Sequence, residues 1–213
     1  MFCFIFSSWN DYFVLWHAMQ VLFCRLAPAQ RAAYLRYIRS REVTDIIDTR
    51  SPAFRAITTL RKLCNHPRLA MEQSAIVTST SKSISKDFES DDDDEIRKEL
   101  NRDADISSLI SASGKLIVLV EILRLWHANG HRCLIFCQGR RMLSIIQAVV
   151  KARNYSYLRM DGTTPMRQRQ VLVDMFNSDA GPFAFLLTTR VGGIGVNLIG
   201  ADRVVIVDPD WVR

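Results

Sequence analysis

The feature that most constrains the fold is an alternation of helical patterns with short apolar runs, which begins at residue 113. Ser113 is suited to cap a helix and Gly130 to end it. Between them, apolar residues recur on one helix face: Leu116, Leu119, Val120, Leu123 and Trp126. Next comes Cys133–Cys137 (CLIFC), a continuous apolar run that is typical of a parallel strand buried on both faces. The pattern predicts a capped helix followed by a buried parallel strand.

The same unit repeats along the rest of the chain. Helical patterns separate the apolar runs, and one of them is predicted to have Thr164 as its N-cap and Pro165 at its first position. Three further strands are predicted: Tyr155–Met160, Phe183–Leu187 and Val204–Val207. Strands that alternate with helices at this spacing predict an α/β fold, with a parallel, doubly wound sheet and flanking helices.

Residues 20–72 are predicted to form a different, mainly helical segment. Val21–Leu26 predicts a short strand, and Pro28 lies where a helix is suited to begin. A second helix is predicted from Ala53 to Cys64. It ends shortly before Pro67, because the residue that precedes a proline disfavours the helical conformation.

The first 26 residues are very apolar, yet they lack the pattern of a signal peptide or a membrane span. No Lys or Arg precedes Arg25, and Asn10, Asp11 and His17 interrupt the apolar run. We therefore expect no membrane partner. We interpret the first 26 residues as part of a truncated or mis-started chain that exposes a buried strand, and we assign no motif to residues 1–19.

Charge is unevenly distributed along the chain. Residues 1–72 carry 10 Lys or Arg against 5 Asp or Glu, and residues 132–213 carry 11 against 6. Between these basic blocks, residues 73–113 carry 5 against 10. Dense charge with few apolar residues does not repay the entropy cost of ordering. We predict that residues 73–112 form an acidic, Ser-rich, disordered linker, and that the basic blocks favour polyanionic partners.

The five cysteines indicate neither disulfides nor a metal site. Their number is odd and no CxxC pair occurs, which favours a reducing compartment. Cys133 and Cys137 share one face of the predicted strand. Four residues at about 3.3 Å each would place them roughly 13 Å apart, too far to bind one tetrahedral ion. We expect no metal ligands in the chain.

The segment Leu186–Trp211 combines polar residues with glycines at the end of a predicted strand. The predicted order is strand, polar turn, glycine-rich loop, short helix, strand and acidic tip. Ligands of open α/β sheets bind at the carboxyl ends of strands, where Thr188, Thr189 and Arg190 supply hydroxyl donors and a cation. Three glycines follow: Gly192, Gly193 and Gly195. Because glycine lacks a side chain, a phosphate can approach closely, which suits a nucleic-acid backbone.

Several motifs in order resemble the second RecA-like lobe of Swi/Snf-type ATPases, a branch of the superfamily 2 helicases. They are Leu63–Pro67 (LCNHP), Ser113–Lys115 (SGK), Cys133–Gln138 (CLIFCQ), Leu158–Thr163 (LRMDGT) and Leu187–Trp211. The sequence is most similar to the Cockayne syndrome group B subfamily. This likeness covers residues 20–72 and 113–211. It implies a helicase C-terminal lobe over residues 113–213, preceded by a helical inter-lobe segment over residues 20–72.

The resemblance also implies a nuclear, DNA-dependent ATPase that translocates along DNA in DNA repair or chromatin remodelling. Its implied partners are duplex or nucleosomal DNA and an N-terminal RecA-like lobe, with ATP and Mg bound by the parent motor. The implied nucleic-acid contacts are Gln138, Arg159, Gly162, Thr189, Arg190, Gly192 and Gly193. Gly195 and Asn197 are implied to approach the ATP cleft between the lobes.

The sequence departs from the family pattern at the motifs that cleave ATP. It contains no GxxxxGK[ST] P-loop and no DEXH-like acidic site, and it ends at Arg213, before the arginine-bearing motif of the family. Arginine fingers contribute roughly a thousandfold or more in rate. We therefore expect a truncated lobe that has no catalytic residue and no Mg site of its own, and that is inactive as an ATPase by itself.

Other interpretations stay open at this point. The chain is alternatively a stand-alone nucleic-acid or partner-binding module without ATPase activity, an RNA helicase lobe, or a fragment that does not fold. Lys115 lies either at the lobe entrance or on a solvated first turn, and Asp208 is either functional or part of a surface turn. Asp161 is expected to hold its own loop. His66 is expected to be a structural hydrogen-bonding residue.

Overall fold

A six-stranded sheet forms the centre of the molecule. The structure is a computed structural model, and it describes residues 2–8, 18–49, 53–70, 103–192 and 196–209. The strands are β1 (Phe2–Ser8), β2 (Ala18–Cys24), β3 (Cys133–Cys137), β4 (Tyr157–Met160), β5 (Ala184–Thr188) and β6 (Arg203–Ile206). Their order across the sheet is β2-β1-β6-β3-β5-β4.

Helices precede the parallel strands in the sequence and connect them. They are α1 (Pro28–Ile38), α2 (Arg41–Thr49), α3 (Phe54–Asn65), α4 (Asp103–Ser111), α5 (Gly114–Ala128), α6 (Arg140–Ala152), α7 (Met166–Asn177) and the single turn α8 (Thr189–Gly192). None of the helices within the described residues is long and apolar enough to cross a membrane.

The predicted parallel sheet with flanking helices is confirmed. β3 pairs in parallel with β5 on one side and with β6 on the other, and β4 pairs in parallel with β5. Alternate residues of β3 enter two separate cores. Ile135 packs with α5 and α6 on one face, and Leu134 packs with Phe176 of α7 on the other. Burial on both faces explains why this strand is apolar at every position.

The helix that precedes β3 forms as the sequence predicts. The Ser113 hydroxyl accepts the backbone N–H of Leu116 at 3.4 Å, which caps α5. Gly130 follows the helix with a φ of 74°, in the left-handed region that favours glycine. The predicted apolar face is the buried face: Leu116, Leu119, Val120 and Leu123 are each at most 5% exposed.

Two antiparallel strands extend the sheet beyond β6. β1 pairs with β6 on one side and with β2 on the other, so β2 forms the edge of the sheet. The sequence predicted a strand over Val21–Leu26, and the strand instead spans Ala18–Cys24. Leu26 lies outside it because the chain must turn there to enter α1 at Pro28.

The prediction of a disordered linker over residues 73–112 is wrong for residues 103–111. Residues 103–111 form α4, and residues 71–102 lie outside the described residues. Leu109 is 1% exposed and Ile106 is 9% exposed, so α4 buries two apolar side chains. The acidic composition of the surrounding residues had predicted disorder here instead. Helix α2, which the sequence analysis did not predict, follows α1 after a two-residue turn.

The order of elements after β5 also differs from the prediction. The short helix comes directly after the strand, because α8 contains the polar turn itself, and residues 196–198 are not helical. One helical turn directs Val191 into the core, where it is 4% exposed. Helix α7 begins at Met166 rather than at Pro165. Thr164 does not cap it, because its hydroxyl accepts the backbone N–H of Asp161 at 3.0 Å.

The side-chain amide of Gln30, which is fully buried, connects the helical segment before α4 to the start of α5 by hydrogen bonds. Gln30 donates from Nε2 to the carbonyls of Leu63 and Cys64, at 3.0 and 3.1 Å. Its Oε1 accepts the backbone N–H of Gly114 at 2.9 Å. A side chain is not accommodated at Gly114, because a Cβ there would lie 1.9 Å from the carbonyl oxygen of Arg25.

Candidate nucleic-acid interface

A polar cleft of about 240 Å³ lies at the carboxyl ends of the parallel strands. Six residues line it: Gln138, Arg140, Gly162, Thr163, Thr188 and Arg190. They lie at or shortly after the carboxyl ends of β3, β4 and β5. Parallel strands end at the same edge of a sheet, so the fold brings together residues that lie far apart in the sequence.

The lining of this cleft is suited to bind an anion. Arg140 and Arg190 supply two guanidinium groups, and Thr188 supplies a hydroxyl group, whereas the Thr163 hydroxyl already donates to Asp161. Arg140 is also the first residue of α6, whose N-terminal backbone N–H groups carry a partial positive charge. Gly162 leaves room, because a Cβ there would meet nothing within 4 Å. Donors dominate the cleft, and phosphate oxygens are acceptors.

Asp161 shapes the loop on one side of the cleft. Its carboxylate accepts the backbone N–H of Thr163 at 2.9 Å and the Thr163 hydroxyl at 2.6 Å. Burial alone would raise the pKa of Asp161, but the hydrogen bonds from Thr163 and Arg159 outweigh it, so the pKa lies below its ordinary value. Asp161 therefore holds its own loop as a charged carboxylate, as expected from the sequence.

Gln138 is fixed at the cleft by two contacts. Its backbone N–H donates to Oδ1 of Asp208 at 2.8 Å. Its side-chain Oε1 accepts from Nη2 of Arg61 at 2.6 Å, and the same nitrogen donates to the carbonyl of Pro209 at 3.2 Å. Arg61 belongs to α3, so the helical segment contacts one of the residues that line the cleft.

Asn65, Lys115 and Asp208 form a buried cluster beneath the cleft, which we call the polar hub. The Lys115 ammonium donates to Oδ1 of Asn65 and to the carbonyl of Val207, each at 2.7 Å. Asn65 Nδ2 donates to Oδ2 of Asp208 at 3.1 Å. The three residues are 5 to 8% exposed. Lys115 is therefore not a solvated first-turn residue, and Asp208 is not part of a surface turn.

Burial shifts the pKa values of both charged members of the polar hub. It raises the pKa of Asp208 to about 6, although the Gln138 N–H and the charges of Lys115 and Arg61 act in the opposite direction. It lowers the pKa of Lys115 in spite of the favourable charge of Asp208. In both residues, loss of hydration disfavours the charged form. The hub is thus held together by contacts that offset a large desolvation cost.

His66 plays a structural part next to the polar hub. Its Nδ1 accepts the backbone N–H of Arg68 at 3.2 Å, and its Nε2 donates to the carbonyl of Leu109 at 3.1 Å. An N–H only donates and a carbonyl only accepts, so the neutral ring satisfies both partners. Burial lowers the pKa of His66 to about 4. The predicted structural role is in agreement with these contacts, which fasten α3 to α4.

Comparison with known proteins identifies the family. A family model described as the helicase conserved C-terminal domain matches residues 114–213. The human DNA excision repair protein ERCC-6 is 43% identical over 192 residues, which cover 90% of this chain. The chain belongs to the Swi/Snf-type, helicase-like family. It spans only 12% of the length of the human relative.

Solved structures of the Swi/Snf-type family share the fold. The C-terminal part of the Fun30 ATPase domain aligns with a TM-score of 0.64 at 23% identity, over 89% of this chain and 74% of that one. The Sulfolobus solfataricus SWI2/SNF2 ATPase core in complex with dsDNA aligns with a TM-score of 0.58 at 20% identity, over 84% of this chain and 32% of that one. Identities this low establish the architecture alone.

Three of the nucleic-acid contacts implied by the family line the cleft. They are Gln138, Gly162 and Arg190. Thr189 is half-buried at the start of α8, directly between two cleft residues. Gly192 is the last residue of α8, and Gly193 lies outside the described residues. The roles of all these residues stay predictions.

Arg159 lies beside the cleft, with its guanidinium turned towards the protein. It donates to Asp161 and Ser144 at 2.8 and 2.9 Å, and to Oε1 of Gln147 at 2.6 Å. Its side chain is only 11% exposed. Arg159 supports the Asp161 loop in this structure, and a phosphate contact of Arg159 stays a prediction.

The two residues predicted near ATP are not tested by this geometry. Gly195 lies outside the described residues. Asn197 is exposed, and its carbonyl accepts from Nδ2 of Asn177 at 2.9 Å. Among the described residues, no group of three or more His, Cys, Asp and Glu is arranged to hold a metal ion. Cys133 and Cys137 lie fully buried in β3, where burial raises the pKa of both thiols.

Three residues at the cleft were not predicted from the sequence. Arg140 and Thr163 line it, and Arg61 contacts Gln138 from behind. Arg140 had a usable signal, since it follows the carboxyl end of a predicted strand by three residues. Arg61 had none, because 77 residues separate it from Gln138 and only the packing of α3 brings them together.

Proposed function

We propose that the chain is the C-terminal lobe segment of an ATP-dependent DNA translocase, which binds the backbone of duplex DNA in the cleft. In the longer protein it would supply one wall of the site for ATP and Mg, opposite an N-terminal RecA-like lobe. The translocase would act in the nucleus, in DNA repair or chromatin remodelling, on free or nucleosomal DNA.

The single observation that carries this proposal is the composition of the cleft. Two guanidinium groups, the Thr188 hydroxyl group and a helix N-terminus surround about 240 Å³ of open space. Such groups position a sugar–phosphate backbone without reading its sequence. The open space beside Gly162 admits a phosphate at close range. A translocase needs contacts of this kind, because it must bind every step of the backbone equally.

The comparisons support the proposal from a second direction. The human relative carries DNA excision repair in its name, and a structure with the same fold was solved with duplex DNA. The chain shares 43% of its aligned residues with the former. Because the chain belongs to the same family, we expect this edge of its sheet to bind DNA as well.

Binding of the 213-residue chain to a labelled duplex tests the proposal. The variant R140Q/R190Q removes both cleft cations. A matched control, R124Q/R153Q, removes the same charge from the opposite edge, since Arg124 lies near the end of α5 and Arg153 follows α6. We expect the cleft variant to weaken binding and to make its salt dependence shallower, by about 0.9 in log–log slope per lost phosphate contact.

Several outcomes would contradict the cleft as the binding site. Equal losses in the two double variants would indicate a general charge effect, and binding that ignores salt would exclude phosphate contacts. A clear preference for single-stranded RNA would favour an RNA helicase instead. In the full-length protein we expect ATPase activity that duplex DNA stimulates, and ATPase activity indifferent to DNA would contradict the translocase itself.

A further inference from the structure

The contact between Arg61 and Gln138 determines which atom of the Gln138 side-chain amide is available to a ligand in the cleft. We propose that Arg61 is a positioning residue, which orients the side-chain amide of Gln138 so that its N–H₂ group donates to a DNA phosphate. This inference rests on the proposed function, because it names how one residue of the same cleft is prepared for that ligand.

The orientation of the amide follows from the chemistry of its partner. Oxygen and nitrogen of a glutamine amide are assigned from their hydrogen bonds, not from their shape. A guanidinium has five N–H donors and no acceptor, so only the oxygen of Gln138 satisfies Arg61. With Oε1 held by Nη2 of Arg61 at 2.6 Å, the N–H₂ group is directed away from α3.

This orientation matters because a phosphate only accepts hydrogen bonds. Gln138 lines the cleft, whereas Arg61 is not among the cleft-lining residues. A flipped amide would present its oxygen to the phosphate, and two acceptors would then repel each other. Arg61 therefore removes the unproductive orientation before the ligand arrives, which lowers the entropy cost of binding.

Two further contacts hold Arg61 and Gln138 in place. Nη2 of Arg61 also donates to the carbonyl of Pro209 at 3.2 Å, which fixes the guanidinium against the segment that follows β6. The Gln138 backbone is held by Asp208, and Asp208 accepts from Asn65, one turn after Arg61 on α3. Helix α3 thus controls Gln138 at both its backbone and its side chain. The motif LCNHP and the cleft are one connected unit.

A double-mutant cycle on the 213-residue chain tests the inference. The variants are R61Q, Q138A and R61Q/Q138A, each measured for duplex binding at one fixed salt concentration. Loss of a hydrogen bond to a charged group should weaken binding about tenfold in Q138A, and nearly as much in R61Q. The double variant should bind no more weakly than Q138A, because Arg61 acts only through Gln138.

The control variant is R55Q, which removes an equally charged residue two turns earlier on α3. Arg55 is 76% exposed and lies 3.6 Å from Glu42, so its loss changes the same charge without touching the cleft. We expect R55Q to bind duplex within about twofold of the unmodified chain. R61K restores a donor and a charge, and it should recover part of the binding that R61Q loses.

The outcomes separate the two proposals. Wild-type binding that depends on Arg140 and Arg190 but is unchanged in R61Q overturns the positioning role alone. Additive losses in the double variant also overturn it, because Arg61 would then act on DNA by itself. Absence of duplex binding by the unmodified chain, or equal losses in the R140Q/R190Q and R124Q/R153Q variants, overturns the proposed function.

A second measurement covers the case in which R61Q fails to fold. Q138E keeps the contact to Arg61 as an ion pair but removes the donor, so its duplex binding should fall at least to the level of Q138A. Binding of Q138E equal to the unmodified chain overturns the inference. In ¹⁵N spectra of the unmodified chain, the Gln138 side-chain amide signals should move when duplex is added, and a lack of movement would likewise overturn it.

Discussion

The cleft and the polar hub lie at the same edge of one sheet and contain the same kinds of groups, yet they differ in what those groups are able to bind. Arg190 in the cleft is exposed, whereas Lys115 in the hub is 5% exposed and donates to Asn65 and Val207. Gln138 belongs to the cleft and contacts Asp208 of the hub. The comparison teaches that burial divides the polar residues of this edge into those that hold the fold and those that face a ligand.

The largest expected effect separates the two regions by stability. K115M leaves the Asn65 Oδ1 and the Asp208 carboxylate buried without their cation, and we expect it to cost about 3–5 kcal/mol of unfolding free energy. Arg190 faces solvent, so R190Q should change the unfolding free energy by less than about 0.5 kcal/mol.

Urea titrations followed by circular dichroism measure both changes. K151A is the control for the loss of a lysine from a helix, because Lys151 is exposed in the last turn of α6. A cost for K115M close to that of K151A would mean that the polar hub does not stabilise the fold, and the comparison would fail at its first step.

The second effect is on how stability depends on pH. Two buried groups contribute to this dependence in opposite directions. The pKa of His66 is about 4 in the folded state against an ordinary 6.5, so the unfolded state binds more protons there and stability rises with pH between about 4 and 6.5. The pKa of Asp208 is raised to about 6 from an ordinary 3.8. The stabilisation that Asp208 contributes is present below about pH 3.8 and is lost as the pH rises through about 6.

These two slopes partly cancel in the unmodified chain, so variants should reveal them. As pH rises from about 4 to 6.5, D208N should gain roughly 3 kcal/mol of unfolding free energy, because only the shift of about 2.5 pKa units at His66 remains. As pH rises from about 4 to 6, H66Q should instead lose stability, because only the shift at Asp208 remains. Thermal unfolding at half-unit pH steps measures both profiles. Parallel profiles in the unmodified chain and in D208N would show that Asp208 titrates normally and is not desolvated.

Part of this edge is predictable from the sequence, for a definite physical reason. Parallel strands end together, so the residues that follow β3, β4 and β5 are expected to meet, and Gln138, Gly162 and Arg190 do meet. The apolar run of β3 and the cap at Ser113 are local signals of the same kind. Each needs only the sequence within one element and the general geometry of an α/β sheet.

The rest depends on packing between distant segments, which no local pattern encodes. Lys115 directly follows a glycine and Arg190 lies two residues before one, and nothing in the sequence says that one of these basic residues is buried. The Lys115 contact to Val207 spans 92 residues. Helix α4 was predictable from a local pattern, although it was not predicted. Ile106, Leu109 and Ile110 recur at helical spacing within an acidic stretch.

The third effect compares two glycines at the same edge. In G114A the new Cβ would lie 1.9 Å from the carbonyl oxygen of Arg25, so the backbone must shift. We expect a loss of about 1–3 kcal/mol in unfolding free energy, measured by urea titration. A loss smaller than about 0.5 kcal/mol would show that α5 moves freely against the segment that precedes α1.

The smallest effect on stability is expected at Gly162, where function should respond instead. A Cβ there meets nothing within 4 Å, so G162A should unfold within about 0.5 kcal/mol of the unmodified chain. The added methyl group would nevertheless occupy space in the cleft, and we expect several-fold weaker duplex binding if a phosphate approaches this position. G162A that binds duplex normally would move the phosphate away from the β4 side of the cleft. The ligand would then lie nearer Arg140 and Gln138, which are held in place from the α3 side by Asp208 and Arg61 at Gln138.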